Sequence, residues 1–474
     1  MAIAGFACLL AAIAGCASPV MGQERRRQAE SRDMRLLGYN DLQGRSGYHP
    51  VIIQQGGRWI AYVGHHGGKA LNPLTGVVES NGTAVLDVTD PRAPRYLAHI
   101  PGEDGEGEDG GAQMVRACNG SELPKGDRGK TYLLRTFGNS AQEIWDVTVP
   151  EHPAILTTIE RNLRHTHKNW WECDTGIAYL VSGVREWRIR RIMQVWDLSD
   201  PAKPVHIRGF SLPGHQAGSS GPMAPDMHGL TSTGPAGNRV YVAYGTNRNG
   251  VIQIVDRKKL LEGPREPSVE NLLYPQVARL NMPEFMGAHT TLPVYGIAVP
   301  EFAKDEKGKT RDFVFVVNES FRNECTEEVR NLVYVVDVTD EAKPFPVANY
   351  QVEEVSGGFC SRGGRFGSHA SNEYQHPAYD KRILFFSWFN AGVRAVDIRD
   401  PYRPAEIGYY IPAVTDRTTE RCIKTAAGNR CKFEVQTNNV EVDGRGYIYI
   451  IDRANTGMHV LELTGAARRI ADFK

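Results

Sequence analysis

The sequence predicts an all-β protein, a seven-bladed β-propeller whose last blade is completed by an N-terminal strand. A short β-type run followed by an Asp and a polar turn recurs seven times, strongly in TAVLDVTDPRAP and VYVVDVTDEAKP and weakly in MHVLELTGA. Around the strong copies, four runs rich in Val, Ile, Tyr and Phe follow one another, separated by turn residues. Repetition of four strands at this spacing is typical of propeller blades.

The closure of the ring is predicted from the two ends of the repeat array. The last copy of the repeat has no fourth β run after it, whereas MRLLGYN, residues 34–40, precedes the first copy and resembles the fourth-strand run PAEIGYYI. Pairing of residues 34–40 with the last blade would remove an open sheet edge. We therefore expect the propeller to extend over residues 34–474.

The recurring Asp, found for example at Asp87, Asp337 and Asp397, is interpreted as a structural residue. It stands where a strand enters a turn, and Asp side chains there accept hydrogen bonds from nearby backbone N–H groups. The alternative, metal binding by this Asp, is the weaker interpretation.

Composition excludes two classes of protein. The chain has 474 residues with 55 basic and 55 acidic side chains, so its formal net charge is zero. A nucleic-acid-binding protein needs a concentrated basic surface, which this balance argues against. No stretch after the N-terminal region is long and apolar enough to predict a membrane-spanning helix.

The N-terminus has the features of an export signal. Residues 3–15 are almost wholly apolar, and we expect residues 1–22 to be a signal peptide. The sequence Ile13-Ala14-Gly15-Cys16 matches a bacterial lipobox, which predicts lipidation of Cys16; the alternative is an ordinary signal peptide cleaved near Gly22. Residues 23–33 are interpreted as a charged tether. We expect a periplasmic or outer-membrane lipoprotein that contacts the membrane only through its lipid anchor.

Six cysteines remain after Cys8 and Cys16, and an even number in an exported chain predicts disulfides. The register of the repeats favours three pairs: Cys118–Cys173, Cys325–Cys360 and Cys422–Cys431.

The phrase VxDVTDPxxP resembles the LVIVD repeat of exported bacterial propeller proteins, and the resemblance covers residues 34 to 465. It implies the propeller fold and says little about activity. A looser likeness is to the propellers of the selenium-binding protein and methanethiol oxidase group, which implies a His-ligated copper centre.

Histidine recurs at one position of the repeat. When the blades are aligned on their first strands, five blades carry His near the start of that strand: His49, His167, His228, His289 and His369. First strands line the central channel of a propeller, so these imidazoles are expected to converge near one mouth. The alternative is that they hydrogen-bond neighbouring blades and only support packing.

Converging imidazoles predict a transition metal, copper or iron, with zinc as a further option. Nearby carboxylates that orient imidazole ligands are predicted at Glu172, Glu319 and Glu373. A separate Gly-rich loop, residues 102–111, carries five carboxylates and is a candidate calcium site, although a solvated loop is the preferred interpretation.

These observations lead to a functional hypothesis with two alternatives. The hypothesis is an exported metal-dependent enzyme that acts on a small molecule, most naturally as an oxidoreductase, with a hydrolase or lyase using the same ligands. The alternatives are a non-catalytic surface module that binds a ligand or serves as a scaffold, and a metal carrier without turnover.

Overall fold

The computed structural model describes residues 27–302, 308–425 and 428–473. The expected signal peptide, Cys16 and residues 23–26 of the expected tether lie outside the described residues.

The chain is built from short strands. The first are β1 (Glu30–Arg32), β2 (Met34–Asn40), β3 (Gly47–Gln55), β4 (Arg58–Gly67), β5 (Lys69–Asn72), β6 (Val77–Ser80), β7 (Gly82–Asp87), β8 (Arg95–Pro101), β9 (Gly107–Ala112), β10 (Val115–Asn119), β11 (Thr131–Phe137), β12 (Ala141–Asp146) and β13 (Ala154–Glu160). Next come β14 (Asn169–Trp171), β15 (Ile177–Ser182), β16 (Ile192–Asp197), β17 (Val205–Phe210), β18 (Met227–Ser232), β19 (Arg239–Tyr244), β20 (Val251–Asp256), β21 (Gln276–Asn281), β22 (Thr290–Ala298), β23 (Thr310–Val317), β24 (Val333–Asp337) and β25 (Phe345–Tyr350). The last are β26 (Ala370–Ser371), β27 (Ile383–Ser387), β28 (Val393–Asp397), β29 (Ala405–Ile411), β30 (Glu420–Thr425), β31 (Gly428–Phe433), β32 (Thr437–Val442), β33 (Ile448–Asp452) and β34 (Met458–Leu463).

Short helices occur only between strands or at the end of the described chain. They are α1 (Gly234–Gly237), α2 (Arg257–Glu262), α3 (Val269–Leu273), α4 (Glu354–Gly357) and α5 (Gly465–Ile470). Single 3-10 turns lie at Leu42–Gly44, Pro300–Phe302, Cys325–Glu327 and Phe359–Ser361. No helix among the described residues has the length and apolar character needed to cross a membrane.

The described residues form the seven predicted blades, each an antiparallel four-stranded sheet. From the channel outwards, they are blade 1 (β3-β4-β7-β8), blade 2 (β10 to β13), blade 3 (β14 to β17), blade 4 (β18 to β21), blade 5 (β22 to β25), blade 6 (β26 to β29) and blade 7 (β32-β33-β34-β2). The predicted ring closure is confirmed, since β2 pairs with β34 in the register Met34↔Leu463. Glu30–Arg32, within the expected tether, form a further strand on β29.

The middle strands of each blade are buried on both sides, which explains their continuous apolar sequences. Val335 of blade 5 and Phe386 of blade 6, for example, belong to one cluster of buried side chains between these blades. The recurring Asp has the predicted structural role: its carboxylate accepts a hydrogen bond from the backbone N–H two residues later. This bond is 2.9 Å long at Asp87, 3.0 Å at Asp146, 2.8 Å at Asp197, 2.8 Å at Asp337 and 3.0 Å at Asp397.

All three predicted disulfides are present: Cys118–Cys173, Cys325–Cys360 and Cys422–Cys431. The first joins the channel-lining segments of blades 2 and 3, and the last spans the β30–β31 hairpin.

The up-and-down order of the strands divides the loops between two faces. On the upper face lie the connections from second to third strands and from each blade to the next. On the lower face lie the connections from first to second and from third to fourth strands. Every first strand therefore begins at the upper face and runs down the channel.

Candidate metal centre

Four of the five predicted histidines meet at the upper end of the channel. Their rings form a row in blade order, with centroids 4.5 Å apart for His167 and His228, 3.8 Å for His228 and His289, and 4.6 Å for His289 and His369. All four side chains are buried. The repeat register therefore brings these imidazoles together because each stands at the start of a first strand.

His49 does not lie in this row, and Tyr48 takes its place. In blade 1 Pro50 pairs with Val63, and at the equivalent place in blade 4 Leu230 pairs with Val242, so Tyr48 and not His49 stands in register with His228. As a result the Tyr48 hydroxyl lies 3.2 Å from Nε2 of His167, while His49 faces another group of side chains lower in the channel. The expectation that all five histidines converge is corrected to four histidines and one tyrosine.

Contacts with the next blade set the orientation of these rings. His228 Nδ1 lies 3.1 Å from the backbone oxygen of His289, and His369 Nδ1 lies 2.5 Å from that of Asn438. A carbonyl oxygen only accepts, so each Nδ1 carries the proton and donates it. The Nε2 atoms of His228 and His369 are then unprotonated, which is the form that binds metals. Nε2 of His228 lies 2.7 Å from Nε2 of His167 and accepts a hydrogen bond from it.

Glu319 adds a carboxylate to the row. It follows β23 on the upper face, is buried, and has Oε2 at 3.7 Å from Nε2 of His289 and Oε1 at 3.8 Å from Nε2 of His369. Arg365 donates to Oε1 at 3.1 Å and so fixes the carboxylate. Glu319 was predicted to orient a ligand; its position beside two imidazoles allows it to be a ligand.

The donor atoms fit a transition-metal ion. Within the described ranges, His228, His289 and Glu319 are the single group of three such residues whose ligand atoms all lie within 4.8 Å of one another. Ligands at about 2.0–2.2 Å from one ion stand at most about 4.4 Å apart, so small side-chain adjustments bring all three into contact with it. The Nε2 atom of His289 is buried without any hydrogen-bond partner. Burial of a polar atom without a hydrogen-bond partner lowers the stability of a fold unless a ligand binds to that atom.

Burial keeps the imidazoles neutral. It lowers the pKa of His167, His228, His289 and His369 well below the usual value, and neighbouring cationic or imidazole groups add to the effect. The Glu319 carboxyl has its pKa raised to about 7 by burial, which Arg365 opposes only in part. Neutral rings beside one carboxylate form a ligand set of low charge.

Two further groups in the channel were not expected from the repeat register. His66, at the end of β4, packs edge-on against Tyr48 at 4.8 Å and has a buried Nε2 without a hydrogen-bond partner. Lys168 is buried with its Nζ unpaired and 5.5 Å from the centre of the Tyr48 ring. Burial lowers the pKa of Lys168 to about 8.

His49 belongs to a hydrogen-bonded group in the lower half of the channel. Its Nδ1 lies 3.0 Å from the side-chain amide of Asn439, and its Nε2 lies 3.2 Å from Nη1 of Arg116. Arg116 also forms a close ion pair with Glu373, another predicted ligand-orienting residue. Burial raises the pKa of Glu373, but Arg116, His49 and Lys168 together outweigh burial, and the pKa falls to about 2. Both nitrogens of His49 thus already have protein partners.

Glu172 lies away from the metal candidates and joins two blades. Its carboxylate accepts hydrogen bonds from Arg257 Nη2 at 2.5 Å, Ser232 Oγ at 2.6 Å and Tyr179 Oη at 2.9 Å. This arrangement could not be predicted from sequence because Arg257 comes from the helix after β20, far along the chain.

The carboxylates of the 102–111 loop point to separate protein groups. Asp104 pairs with Lys69 at 2.9 Å, Glu103 accepts from the backbone N–H of Asn139 at 2.8 Å, and Glu108 lies 3.7 Å from Arg191. Part of the loop forms β9, which pairs with β4.

A cavity of about 570 Å³ opens the channel at the lower face. We call it the lower funnel. Its walls include Trp59, Trp170, Arg116, Glu373 and Glu441, and Arg116 lies 5.1 Å from the centre of the Trp170 ring. Apolar walls with a few polar groups are typical of small-molecule pockets.

Comparisons with known proteins add little to this description. No protein-family model matches the sequence, and no curated protein matches it. The similar solved structures include Chaetomium thermophilum Sqt1, alone and bound to the N-terminus of the ribosomal protein L10. These have 10% and 12% sequence identity and TM-scores of 0.47 and 0.46, cover 91% and 90% of this chain, and are themselves covered over 98% of their length. A likeness of this degree gives no information on what the present chain binds.

Proposed function

We propose that the upper end of the channel binds one iron ion through His228, His289 and Glu319, and that the protein is an iron-dependent oxidoreductase acting on a small molecule. Two imidazoles and one carboxylate with open positions are the ligand set of many non-haem iron oxygenases. Zinc accepts the same two imidazoles and carboxylate, and copper accepts the imidazoles, so the metal content of the protein decides between them.

The observation that carries the proposal is the buried Nε2 of His289, which has no hydrogen-bond partner and lies 3.7 Å from the Glu319 carboxylate. The ligand atoms of His228, His289 and Glu319 form one close group. At His49, by contrast, both ring nitrogens have protein partners.

The neighbouring residues suit reaction at such a centre. A bound ion supplies redox and Lewis-acid chemistry. Arg365 holds Glu319 in position, and the Tyr48 hydroxyl and the Lys168 ammonium are donors on the channel side. His167 and His369 flank the three ligands and complete the polar wall.

The test is the metal content of the full chain expressed in an oxygen-free medium with iron, copper and zinc supplied together. We expect about one iron per chain and a loss of more than nine-tenths of it in Glu319→Gln. Glu373→Gln is the matched control, since this buried carboxylate lies near a histidine but outside the proposed ligand set, and it should keep its iron. Oxygen uptake with a panel of small aromatic compounds then tests turnover.

Each other result selects another function. Zinc at the same stoichiometry would replace the redox assignment with a hydrolase or lyase. Stoichiometric iron without oxygen uptake or substrate oxidation would favour a carrier. A protein that binds none of the three metals would contradict the proposal and leave a ligand-binding propeller.

A further inference from the structure

The lower funnel is formed mainly by first strands. Residues at the lower ends of β3, β10, β14 and β32, and residues that follow β26, line it. The funnel is therefore the lower mouth of the central channel, and five blades contribute side chains to one cavity of about 570 Å³. A concave site of this size, at which several elements converge, is a usual place for a small ligand.

Large apolar side chains form much of the funnel wall. They include Val51 and Ile53 of blade 1, Trp170 of blade 3 and Val442 of blade 7. Tyr374, from the segment after β26, also lines the funnel and is 47% exposed. Such a lining accommodates the apolar body of a ligand.

The charged residues of the lining are mostly acidic. Among the described residues that line the funnel, Glu122, Glu373 and Glu441 are acidic, and Arg116 is the one basic residue. Arg116 is paired with Glu373. The hydrogen bonds that Glu122 and Glu441 accept within the described chain come from backbone N–H groups alone, so neither carboxyl group has a cationic partner there.

Glu441 faces the channel. It stands two residues after Asn439, whose side-chain amide lies 3.0 Å from Nδ1 of His49, so both residues point to the channel side of β32. The Glu441 side chain is buried, and three backbone N–H groups donate to its carboxylate at 2.8, 3.0 and 3.1 Å. Burial and the charge of Glu373 raise the pKa of Glu441 to about 8. A cation bound beside Glu441 would hold this carboxyl group in its ionised form.

Lys168 does not supply this cation. Its Nζ has no hydrogen-bond partner and lies 5.5 Å from the centre of the Tyr48 ring, in the upper group, and Lys168 does not line the funnel. Its charge acts on Glu373. Even when Lys168 is counted with Arg116, three carboxyl groups stand against two cations.

We propose that the lower funnel binds a small organic cation, an amine with an apolar body, whose ammonium group contacts Glu441 and whose body packs against Trp170 and the aliphatic wall. Hydrogen bonds between an ammonium group and a carboxylate are among the strong ones in proteins. An anion would meet the excess of carboxyl groups, and Arg116 is already paired with one of them. The inference does not depend on the proposed metal, because no residue that lines the funnel is a proposed ligand of it.

The test titrates the full chain, without added metal, with three probes that share a phenyl ring on a short chain and differ in charge. They are phenethylamine, phenethyl alcohol and hydrocinnamate, and calorimetry measures their affinities. We expect the amine to bind about tenfold or more tightly than the alcohol, and the acid to bind least. The amine should also change the tryptophan fluorescence, because three of the seven tryptophans line the funnel.

Glu441→Gln keeps the shape of the side chain and removes its charge. This variant should lose the preference for the amine over the alcohol, and thermal unfolding checks that it is folded. Glu434→Gln is the matched control, since Glu434 is also buried but lies outside the funnel, and this variant should bind the three probes like the unchanged protein.

Three results would overturn the inference. One is binding of the alcohol or the acid as tight as that of the amine. Another is a preference for the amine that survives in Glu441→Gln or disappears in Glu434→Gln, which would place the cation elsewhere. The third is the absence of saturable binding of every probe up to about 10 mM.

Discussion

The two ends of the central channel contain the same kinds of buried residues in different states of hydrogen bonding. In the lower group, His49 has Asn439 on one ring nitrogen and Arg116 on the other, and Glu373 is paired with Arg116. In the upper group, His289 has a buried Nε2 with no hydrogen-bond partner, and Glu319 is the carboxylate beside it. Burial of His near a carboxylate is common to both. The unpartnered Nε2 of His289 identifies the upper group as the metal candidate.

The largest stability effect is expected from breaking the lower group. Arg116→Met leaves the Glu373 carboxylate buried without its ion-pair partner, which should reduce the free energy of unfolding by about 3–5 kcal/mol. Arg365→Met is the matched change at the upper end. Arg365→Met should reduce the free energy of unfolding by about 1–2 kcal/mol, because Glu319 then takes up a proton more readily and remains only partly charged. Denaturant unfolding of both variants measures the difference; equal losses would contradict the proposed contrast.

Ferrous iron should stabilise the protein through the upper group alone. At a free concentration one hundred times the dissociation constant, binding adds about 2.7 kcal/mol to the free energy of unfolding. His49→Ala should retain this gain, and His289→Ala should lose it. Thermal unfolding under nitrogen, with and without iron, gives the result, and a gain that survives in His289→Ala would place the ion elsewhere.

A smaller effect depends on pH and concerns Glu441 in the lower funnel. Burial, together with the charge of Glu373, raises the pKa of Glu441 to about 8, although the backbone N–H groups of Glu373, Tyr374 and Val442 donate to it. An acid whose pKa rises on folding contributes stability below its unfolded pKa, and this contribution is lost as pH rises toward the folded value.

Glu441→Gln removes this titration. Its stability relative to the unchanged protein should therefore improve between pH 5 and pH 8, by up to about 1.4 kcal/mol per pH unit. Thermal melts at several pH values measure the slope. A stability difference that stays flat, or that falls as pH rises, would show that Glu441 is ionised throughout.

The fold was predictable because it repeats. The third strand ends in Asp in six blades and has Glu462 at that place in the seventh, and residues 34–40 resemble the fourth strands closely enough to predict closure of the ring. The disulfides agree with the predicted order of blades: Cys118 and Cys173 stand in the channel-lining segments of neighbouring blades, and Cys422 and Cys431 pair within one hairpin.

The site was predictable only in part, because the sequence alone shows neither the strand pairing nor which distant groups meet. The alignment of first strands by sequence was wrong by one residue in blade 1, where Tyr48 and not His49 stands in register with His228. Glu172 was predicted to orient a metal ligand because its partner Arg257, distant in sequence, could not be foreseen. Lys168 was missed for a related reason: it lies against Tyr48 of blade 1 and Gly229 of blade 4, which are distant in sequence.

The most direct measurement compares iron bound by the unchanged full chain, His289→Ala and His49→Ala after reconstitution without oxygen. The account predicts about one iron per chain in the unchanged protein and in His49→Ala, and less than about a tenth of that in His289→Ala. Loss of iron in His49→Ala with retention in His289→Ala, or no iron in any of the three, would contradict the assignment of the metal site to the upper end of the channel.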